Sequence, residues 1–225
     1  MISKKEKVVM IHSIIFDFDG VILESVSVKT NAFRQLFSFS PEHVDEIVQY
    51  HLDNGGMSRF DKFHHIYRNL LKENLSEEQF EQLSRKFSTL VENAVAEAPY
   101  VDGTLELLKK ESKNYLLFIV SATPQGELIR IVKSRNITHY FRGIFGTPIK
   151  KIDHIRRIIA DNNLEPSEVI FVGDAVNDYE AARSAGVRFI ARVMPGERDR
   201  FQNLPGIDYR IKTMNDLKKY LEAHS

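Results

Sequence analysis

Residues 14–21 read Ile-Ile-Phe-Asp-Phe-Asp-Gly-Val, an apolar run that ends in two carboxylates one residue apart, followed by a glycine. A short apolar run with such boundaries predicts a buried strand of a parallel sheet. Ligands of open α/β sheets bind outside the carboxyl ends of these strands. Side chains two positions apart on an extended segment point the same way. We therefore expect Asp17 and Asp19 to face one site, although an ordinary Asp/Gly turn has the same pattern.

The composition is that of a soluble globular protein, since 43% of the 225 residues are hydrophobic and 28% are charged. Lys+Arg and Asp+Glu both number 31, which argues against a general nucleic-acid or anionic-membrane surface. The absence of cysteine excludes disulfides and thiolate chemistry. No apolar run is long enough to span a bilayer, and the first residues lack the pattern of a secretory signal. We expect a cytoplasmic protein, with its oligomeric state open and a monomer among the options.

The order of the predicted elements gives the fold class. Residues 23–98 carry apolar positions at helical spacing almost throughout, whereas strand and helix patterns alternate from residue 99 onward. This arrangement predicts an α/β fold with a doubly wound, Rossmann-like parallel sheet formed by residues 1–22 and 99–225. Residues 23–98 would form an all-α cap inserted straight after the strand that bears Asp17. Such an insertion lies over the active edge and can act as a lid.

Three further strand ends carry polar groups. Ser121 follows an apolar run and precedes a predicted helix, for which we expect Thr123 as the N-cap and Pro124 as the first residue. Lys150 and Lys151 begin the next helix, where the positive end of the helix dipole disfavours lysine. We therefore favour a functional role for one of them over a solvent-exposed pair without a function. The stretch from Gly173 to Asp178 places two acids after another buried strand, a pattern that a turn and an N-cap would also produce.

Taken together, these motifs resemble the haloacid dehalogenase (HAD) superfamily. The segment from Asp17 to Val21, then Ser121, Lys151 and the pair Asp174 and Asp178, occur in the order and spacing of that superfamily. The chain looks like its phosphatase and phosphomutase branch, with a helical cap after the first motif as in phosphoglycolate phosphatase and β-phosphoglucomutase. The resemblance extends over nearly the whole length.

The resemblance implies a catalytic set and a cofactor. Asp17 would be the nucleophile that forms an aspartyl-phosphate, and Asp19 would be the general acid and then the general base. Ser121 would hold phosphoryl oxygens, and Lys151 would neutralise charge on Asp17 and the phosphate. Mg²⁺ would be bound at an all-oxygen site. The resemblance implies that the metal is bound by Asp17, Asp19 (through its backbone carbonyl), Asp174 and Asp178. It implies that the substrate is bound by Gly20, Ala122, Arg59 and Lys150.

Two positions in this reading stay open. The spacing from Pro148 and the isoleucines that follow favour Lys151 as the catalytic lysine, with Lys150 as the alternative, because the Lys-Pro pair frequent in the family is absent. In the cap, Arg59 follows a Gly-Gly-Met-Ser stretch that resembles a substrate-specificity loop. It would suit a distal phosphate, carboxylate or sugar hydroxyl, although a solvated arginine in a helix–helix turn fits the same pattern.

The leading functional hypothesis is a Mg²⁺-dependent phosphomonoester hydrolase acting on a small phosphorylated metabolite. A sugar phosphomutase uses the same core and is the main alternative. A dehalogenase lacks the second acid of the first motif, so Asp19 argues against it. A binding protein on a catalytically dead scaffold is disfavoured because every catalytic group is present. Sugar phosphates, phosphoglycolate and nucleotides all remain open as substrates.

Overall fold

The computed structural model describes residues 10–224, and the part of the chain it describes holds six strands and nine α-helices. The strands are β1 (Ser13–Phe16), β2 (Leu116–Pro124), β3 (Gly143–Thr147), β4 (Val169–Gly173), β5 (Arg188–Arg192) and β6 (Tyr209–Ile211). The helices are α1 (Val26–Leu36), α2 (Val44–Asp53), α3 (Arg59–His65), α4 (Glu77–Glu97), α5 (Thr104–Glu111), α6 (Gln125–Ser134), α7 (Lys151–Asp161), α8 (Val176–Ala185) and α9 (Met214–Ala223). Within this span, no helix has the length and apolarity that crossing a membrane requires.

The strands form one parallel sheet in the order β3-β2-β1-β4-β5-β6. Successive side chains of β1 alternate between two cores. Ile14 and Phe16 pack with residues of α5, α6 and α9 on one face, and Ile15 packs with residues of α7 and α8 on the other. The predicted doubly wound α/β fold is therefore confirmed. The strand order reverses at β1, which places the topological switch point beside Asp17.

Helices α1 to α4 form the helical cap, which confirms the predicted all-α insertion. After α3 the chain continues as a wider π-helical turn over Ile66–Leu71. Helix α4 begins with a capping box formed by Ser76 and Gln79. The interior is aromatic, and the ring of Phe33 lies 5.8 Å from that of Phe63 and 4.9 Å from that of Phe87, centroid to centroid. This apolar interior is what holds the four helices together.

The two connections between cap and core run side by side. Leu23 and Tyr100 form an isolated antiparallel bridge. The N–H of Glu24 donates to the carbonyl of Pro99 at 2.9 Å, and the N–H of Val101 donates to the carbonyl of Ile22 at 3.1 Å. The cap is therefore joined to the core through one narrow, hydrogen-bonded double connection next to the carboxyl end of β1.

Candidate active site

A cavity of about 80 Å³ lies between the cap and the carboxyl ends of the central strands. Six residues singled out from the sequence line it: Asp17, Asp19, Arg59, Ser121, Ala122 and Asp174. A water molecule needs on the order of 10–15 Å³ of such volume, so the cavity has room for a few waters or one small organic group. The cap covers this edge of the sheet, as the position of the insertion predicts.

Asp17 is buried beside a lysine. Its Oδ2 atom lies 2.9 Å from Nζ of Lys151, and its Oδ1 atom accepts a hydrogen bond of 2.7 Å from the N–H of Phe18. Lys151 Nζ also donates to Oδ1 of Asp178 at 2.5 Å. Lys150 is exposed and lies along a neighbouring cleft instead. Of the two candidate lysines, only Lys151 contacts Asp17.

Three buried carboxylates converge at this point. Asp17, Asp174 and Asp178 each offer one oxygen, and these oxygens all lie within 4.8 Å of one another. Burial, followed by the charge of Asp178, raises the pKa of Asp17 to about 7. Burial and the charges of Asp178 and Asp17 also raise the pKa of Asp174 well above its usual range. Crowded carboxylates of this kind are stabilised by a hard cation with oxygen ligands, so the donor set fits Mg²⁺.

Two glycines make this close approach possible. A Cβ atom on Gly20, whose φ is +73°, would lie 2.4 Å from Oδ2 of Asp174. A Cβ atom on Gly173 would lie 2.4 Å from Cβ of Asp178. The N–H of Gly20 donates to the carbonyl of Leu23 at 2.8 Å, and its carbonyl accepts from Nη1 of Arg192 at 2.6 Å. Position 20 is a glycine because a larger side chain would collide with the carboxylate of Asp174. Substrate binding by Gly20 stays a prediction.

Asp19 lies in a different electrostatic environment from Asp17. Its carboxylate accepts hydrogen bonds from Ser25 Oγ at 2.6 Å, from Thr123 Oγ1 at 3.0 Å and from Nζ of Lys29. Burial by itself would raise the pKa of Asp19, but the ammonium of Lys29 and the hydroxyl donors hold that pKa below its ordinary value. Its carboxylate does not belong to the group of three, which leaves only its backbone oxygen for the predicted metal contact.

The prediction of Thr123 as a helix cap is wrong. Strand β2 continues to Pro124, which is itself the N-cap of α6, because the Thr123 hydroxyl is bonded to Asp19 and to Lys29 Nζ. Ser121 is buried within β2, and its Oγ accepts a hydrogen bond of 3.2 Å from the Thr123 N–H. The polar groups of this strand end therefore point toward the carboxylates rather than closing a helix.

Arg59 lines the cavity but is already paired. Its Nη2 donates to Oε1 of Glu127 at 2.6 Å, and its Nη1 donates to Oε2 at 2.9 Å. Ser88 Oγ donates to the same carboxylate at 3.0 Å, and the guanidinium lies 4.4 Å from the centroid of the Phe87 ring. Since α3 and α4 belong to the cap and α6 to the core, this buried group bridges the two. Contact between Arg59 and a substrate stays a prediction.

Sequence reasoning missed three basic residues that line the cavity, namely Lys29, Lys62 and Arg200, and it missed Glu127, the partner of Arg59. Lys29 lies in the first turns of α1, which follows the segment with Asp17 and Asp19 closely, and it could have been proposed from this position. The other three come from α3, from α6 and from the loop after β5, and no local motif marks them. Their positions depend on packing between distant segments.

Comparison with known proteins identifies the family. Residues 14–192 match the family model described as haloacid dehalogenase-like hydrolase. The chain belongs to that family. One curated relative, a phosphorylated carbohydrates phosphatase of Thermotoga maritima, is 27% identical to this chain over 220 residues. The match covers 94% of this chain and 90% of the relative. A phosphoglycolate phosphatase of Synechococcus elongatus is 27% identical to this chain over 214 residues, and the match covers 91% of this chain and 94% of that relative.

Solved structures agree on the fold. A haloacid dehalogenase-like hydrolase from Bacteroides fragilis superposes with a TM-score of 0.74 at 18% identity, covering 92% of this chain and 99% of that one. The predicted membership in the superfamily is confirmed, and so is the predicted enzyme class, a phosphatase of the haloacid dehalogenase-like type.

Proposed function

We propose that this protein is a Mg²⁺-dependent phosphomonoester hydrolase that acts on a small phosphorylated metabolite through an aspartyl-phosphate. The observation that carries the proposal is the pairing of Asp17 with Lys151 beside two further buried carboxylates, at the switch point of the sheet. The names of the curated relatives, phosphatases of phosphoglycolate and of phosphorylated carbohydrates, support a small substrate. The size of the cavity supports it as well.

The chemistry divides between two carboxylates. In the first step an oxygen of Asp17 forms a bond to phosphorus while the bond from phosphorus to the leaving oxygen breaks, and that oxygen takes a proton from Asp19. In the second step a water oxygen attacks phosphorus, Asp19 accepts the proton, and the bond to Asp17 breaks. The lowered pKa of Asp19 suits the second step, in which the carboxylate must be ionised, whereas the first step requires that Asp19 takes up a proton when the substrate binds. Lys151 neutralises charge on Asp17 during the attack.

The three-carboxylate group supplies the proposed metal site. Asp17, Asp174 and the backbone carbonyl of Asp19 would hold Mg²⁺, with Asp178 next to them and bonded to Lys151. A bound Mg²⁺ offsets the negative charge of both the carboxylates and the phosphate. Without a cation, two or three ionised carboxylates would repel the phosphate dianion, and the lysine alone cannot compensate for them.

Recognition of the phosphoryl oxygens falls to Ser121 and the backbone of Ala122, both at the cavity wall. Gly20, Arg59 and Lys150 remain proposed substrate contacts, of which Arg59 alone lines this cavity with its side chain. We place the core at residues 1–22 and 99–225 and the cap at 23–98, because the paired backbone of residues 22–24 and 99–101 separates them. A cytoplasmic location is part of the same proposal.

The test is a screen for phosphate release. The purified protein is incubated with phosphorylated two- to six-carbon acids, sugars and nucleotides, with Mg²⁺ and then with excess chelator, and Asp17→Asn serves as the inactive control. We expect release from a small substrate, loss in chelator and recovery on adding Mg²⁺. Retention of the phosphate on an isomerised product would establish a phosphomutase instead. No turnover of any phosphate ester would overturn the proposal.

A further inference from the structure

Four basic side chains, from α1, α3 and the loop after β5, line the cavity, and three of them already have a carboxylate partner. Lys29 pairs with Asp19, Arg59 with Glu127, and Arg200 with Glu197. The fourth is Lys62, on the cap helix α3. Within residues 10–224 its ammonium forms no ion pair, although the residue is only 3% exposed.

The surroundings of Lys62 hold its ammonium in place without neutralising it. Nζ donates to Nδ1 of His51 at 3.0 Å and to the backbone carbonyl of His51 at 3.1 Å. Burial, and then the charge of Lys62, lower the pKa of His51 far below its ordinary value, so the ring is neutral and accepts. The ring of Phe33 stacks on His51 at 4.2 Å and lies 5.6 Å from Nζ. Two neutral acceptors and an aromatic face therefore orient a charge that lacks a counter-ion.

A buried lysine of this kind is costly to the empty protein. Lysines are almost never fully buried unless they are paired, because the charged form loses its hydration. Burial, followed by the nearby ammonium of Lys29, lowers the pKa of Lys62 to about 7. An anion entering the cavity would restore the balance of charge. The transferred phosphoryl group would have partners of its own on the core, where Lys151 contacts Asp17, whereas Lys62 belongs to the cap.

We propose that Lys62 is the specificity residue of the site, and that it binds a second negative group, a carboxylate or a second phosphate, at the end of the substrate away from the transferred phosphoryl group. This inference rests on the proposed function. It favours phosphorylated acids and bisphosphates over esters whose distal end is uncharged. The small cavity further favours short molecules, in which the two groups are separated by one or two carbons.

Pairs of substrates that share a two-carbon backbone and differ in the distal group test the proposal. 2-Phosphoglycolate is compared with ethyl phosphate for the carboxylate, and ethylene glycol bisphosphate with 2-hydroxyethyl phosphate for the second phosphate. Each pair is measured on the wild type, on Lys62→Met and on Lys62→Arg. Lys86→Met, on an exposed position of α4 in the same cap, is the matched control. Methionine keeps the length and apolar volume of the lysine, and removal of an unpaired buried charge favours folding.

We expect the wild type to prefer at least one doubly anionic substrate, and Lys62→Met to lower kcat/KM for it by roughly 10- to 100-fold, the usual range for a contact to a charged group. The neutral partner should change less than about threefold, and Lys62→Arg should recover part of the loss. Whichever anion is preferred identifies the distal group. Equal losses on both members of a pair, or a wild type indifferent to the second charge, would overturn the proposal.

A binding experiment separates this inference from the proposed function. In Asp17→Asn, which cannot form the aspartyl-phosphate, calorimetric titration measures affinity for the same pairs with and without Lys62→Met. If the wild type releases no phosphate, the proposed hydrolase fails. A preference for the doubly anionic ligand that Lys62→Met abolishes would still support the role of Lys62, and equal affinities for both ligands would refute it.

Discussion

The buried ion pair between Arg59 and Glu127 leads to a quantitative prediction. The two side chains are 5% and 2% exposed and are joined by two hydrogen bonds, with Ser88 donating a third. Removing one partner leaves an uncompensated buried charge, which costs about 3–5 kcal/mol. For a chain of this length each kcal/mol lowers Tm by roughly 2–4 °C. We therefore expect Glu127→Gln and Arg59→Met each to lower Tm by about 6–20 °C.

The double variant gives the sharper result. Replacing both partners by apolar side chains, as in Arg59→Met with Glu127→Leu, removes both charges and should be close to neutral. The coupling between the two changes, obtained from urea unfolding of the four proteins, should then be about 3 kcal/mol or more. Arg130 and Glu92 provide the matched control, since they also join α6 to a cap helix, here α4, through two hydrogen bonds but are 61% and 29% exposed. Their cycle should show a much smaller coupling.

Single variants as stable as the wild type, or a coupling no larger than that of the control pair, would refute the reasoning. Activity separates the two roles of Arg59. If the guanidinium chiefly holds the cap against the core, Arg59→Met lowers kcat/KM to a similar extent for the native substrate and for a small aryl phosphate. If it reads the distal end of the substrate, only the native substrate is affected.

Three other predictions concern the catalytic groups. Asp17→Asn should abolish turnover with the fold intact by circular dichroism, and more than a few per cent of residual activity, once deamidation is excluded, would contradict its role as nucleophile. Asp19→Asn should slow turnover of a substrate with a poor leaving group by roughly 10²–10⁴-fold; an unchanged kcat would make this residue structural. Lys151→Gln should inactivate the enzyme and Lys150→Gln should not, and the reverse would exchange their assignments.

The carboxylate group also predicts how metal and pH act together on stability. Burial and the charge of Asp178 raise the pKa of Asp17 from an ordinary value of 3.8 to about 7 in the metal-free fold. The folded state therefore holds this proton to higher pH than the unfolded state does, and the contribution of Asp17 to the stability of the metal-free protein falls as pH rises from about 4 to about 7. Mg²⁺ takes the place of the proton, so the rise in Tm that it causes should be larger at about pH 8 than at about pH 5. A rise independent of pH would count against metal binding at Asp17.

The sequence is informative where chemistry and strand ends coincide. Each predicted strand end carries its polar residue after an apolar run, so the meeting of Asp17, Ser121 and Asp174 at one edge follows from the rule for parallel sheets. The choice of Lys151 over Lys150 follows from helical spacing, and the structure gives the contact with Asp17 to the same residue. Local pattern and topology agree at these positions.

The sequence fails where a side chain has two available partners. Thr123 precedes Pro124 and has the pattern of a helix cap, but its hydroxyl donates to the carboxylate of Asp19 and accepts from the ammonium of Lys29, and hydrogen bonds to charged partners are stronger than one from a backbone amide. Arg59 has the pattern of a substrate contact, yet it is bonded to Glu127, which lies 68 positions away. No periodicity reports such a pairing, because it depends on how the cap packs on the core.

The central position of β1 has a consequence for synthesis of the chain. Of the six strands within residues 10–224, β1 is made first, but its neighbours in the sheet are β2, which begins more than 100 residues later, and β4, which is later still. Helices α1 to α4 can form from local contacts while β1 still lacks a partner. Until β2 emerges, both edges of a mostly apolar strand are open to pairing with other chains. Expression yield should therefore depend on translation rate and chaperone supply more than the stability of the finished fold suggests.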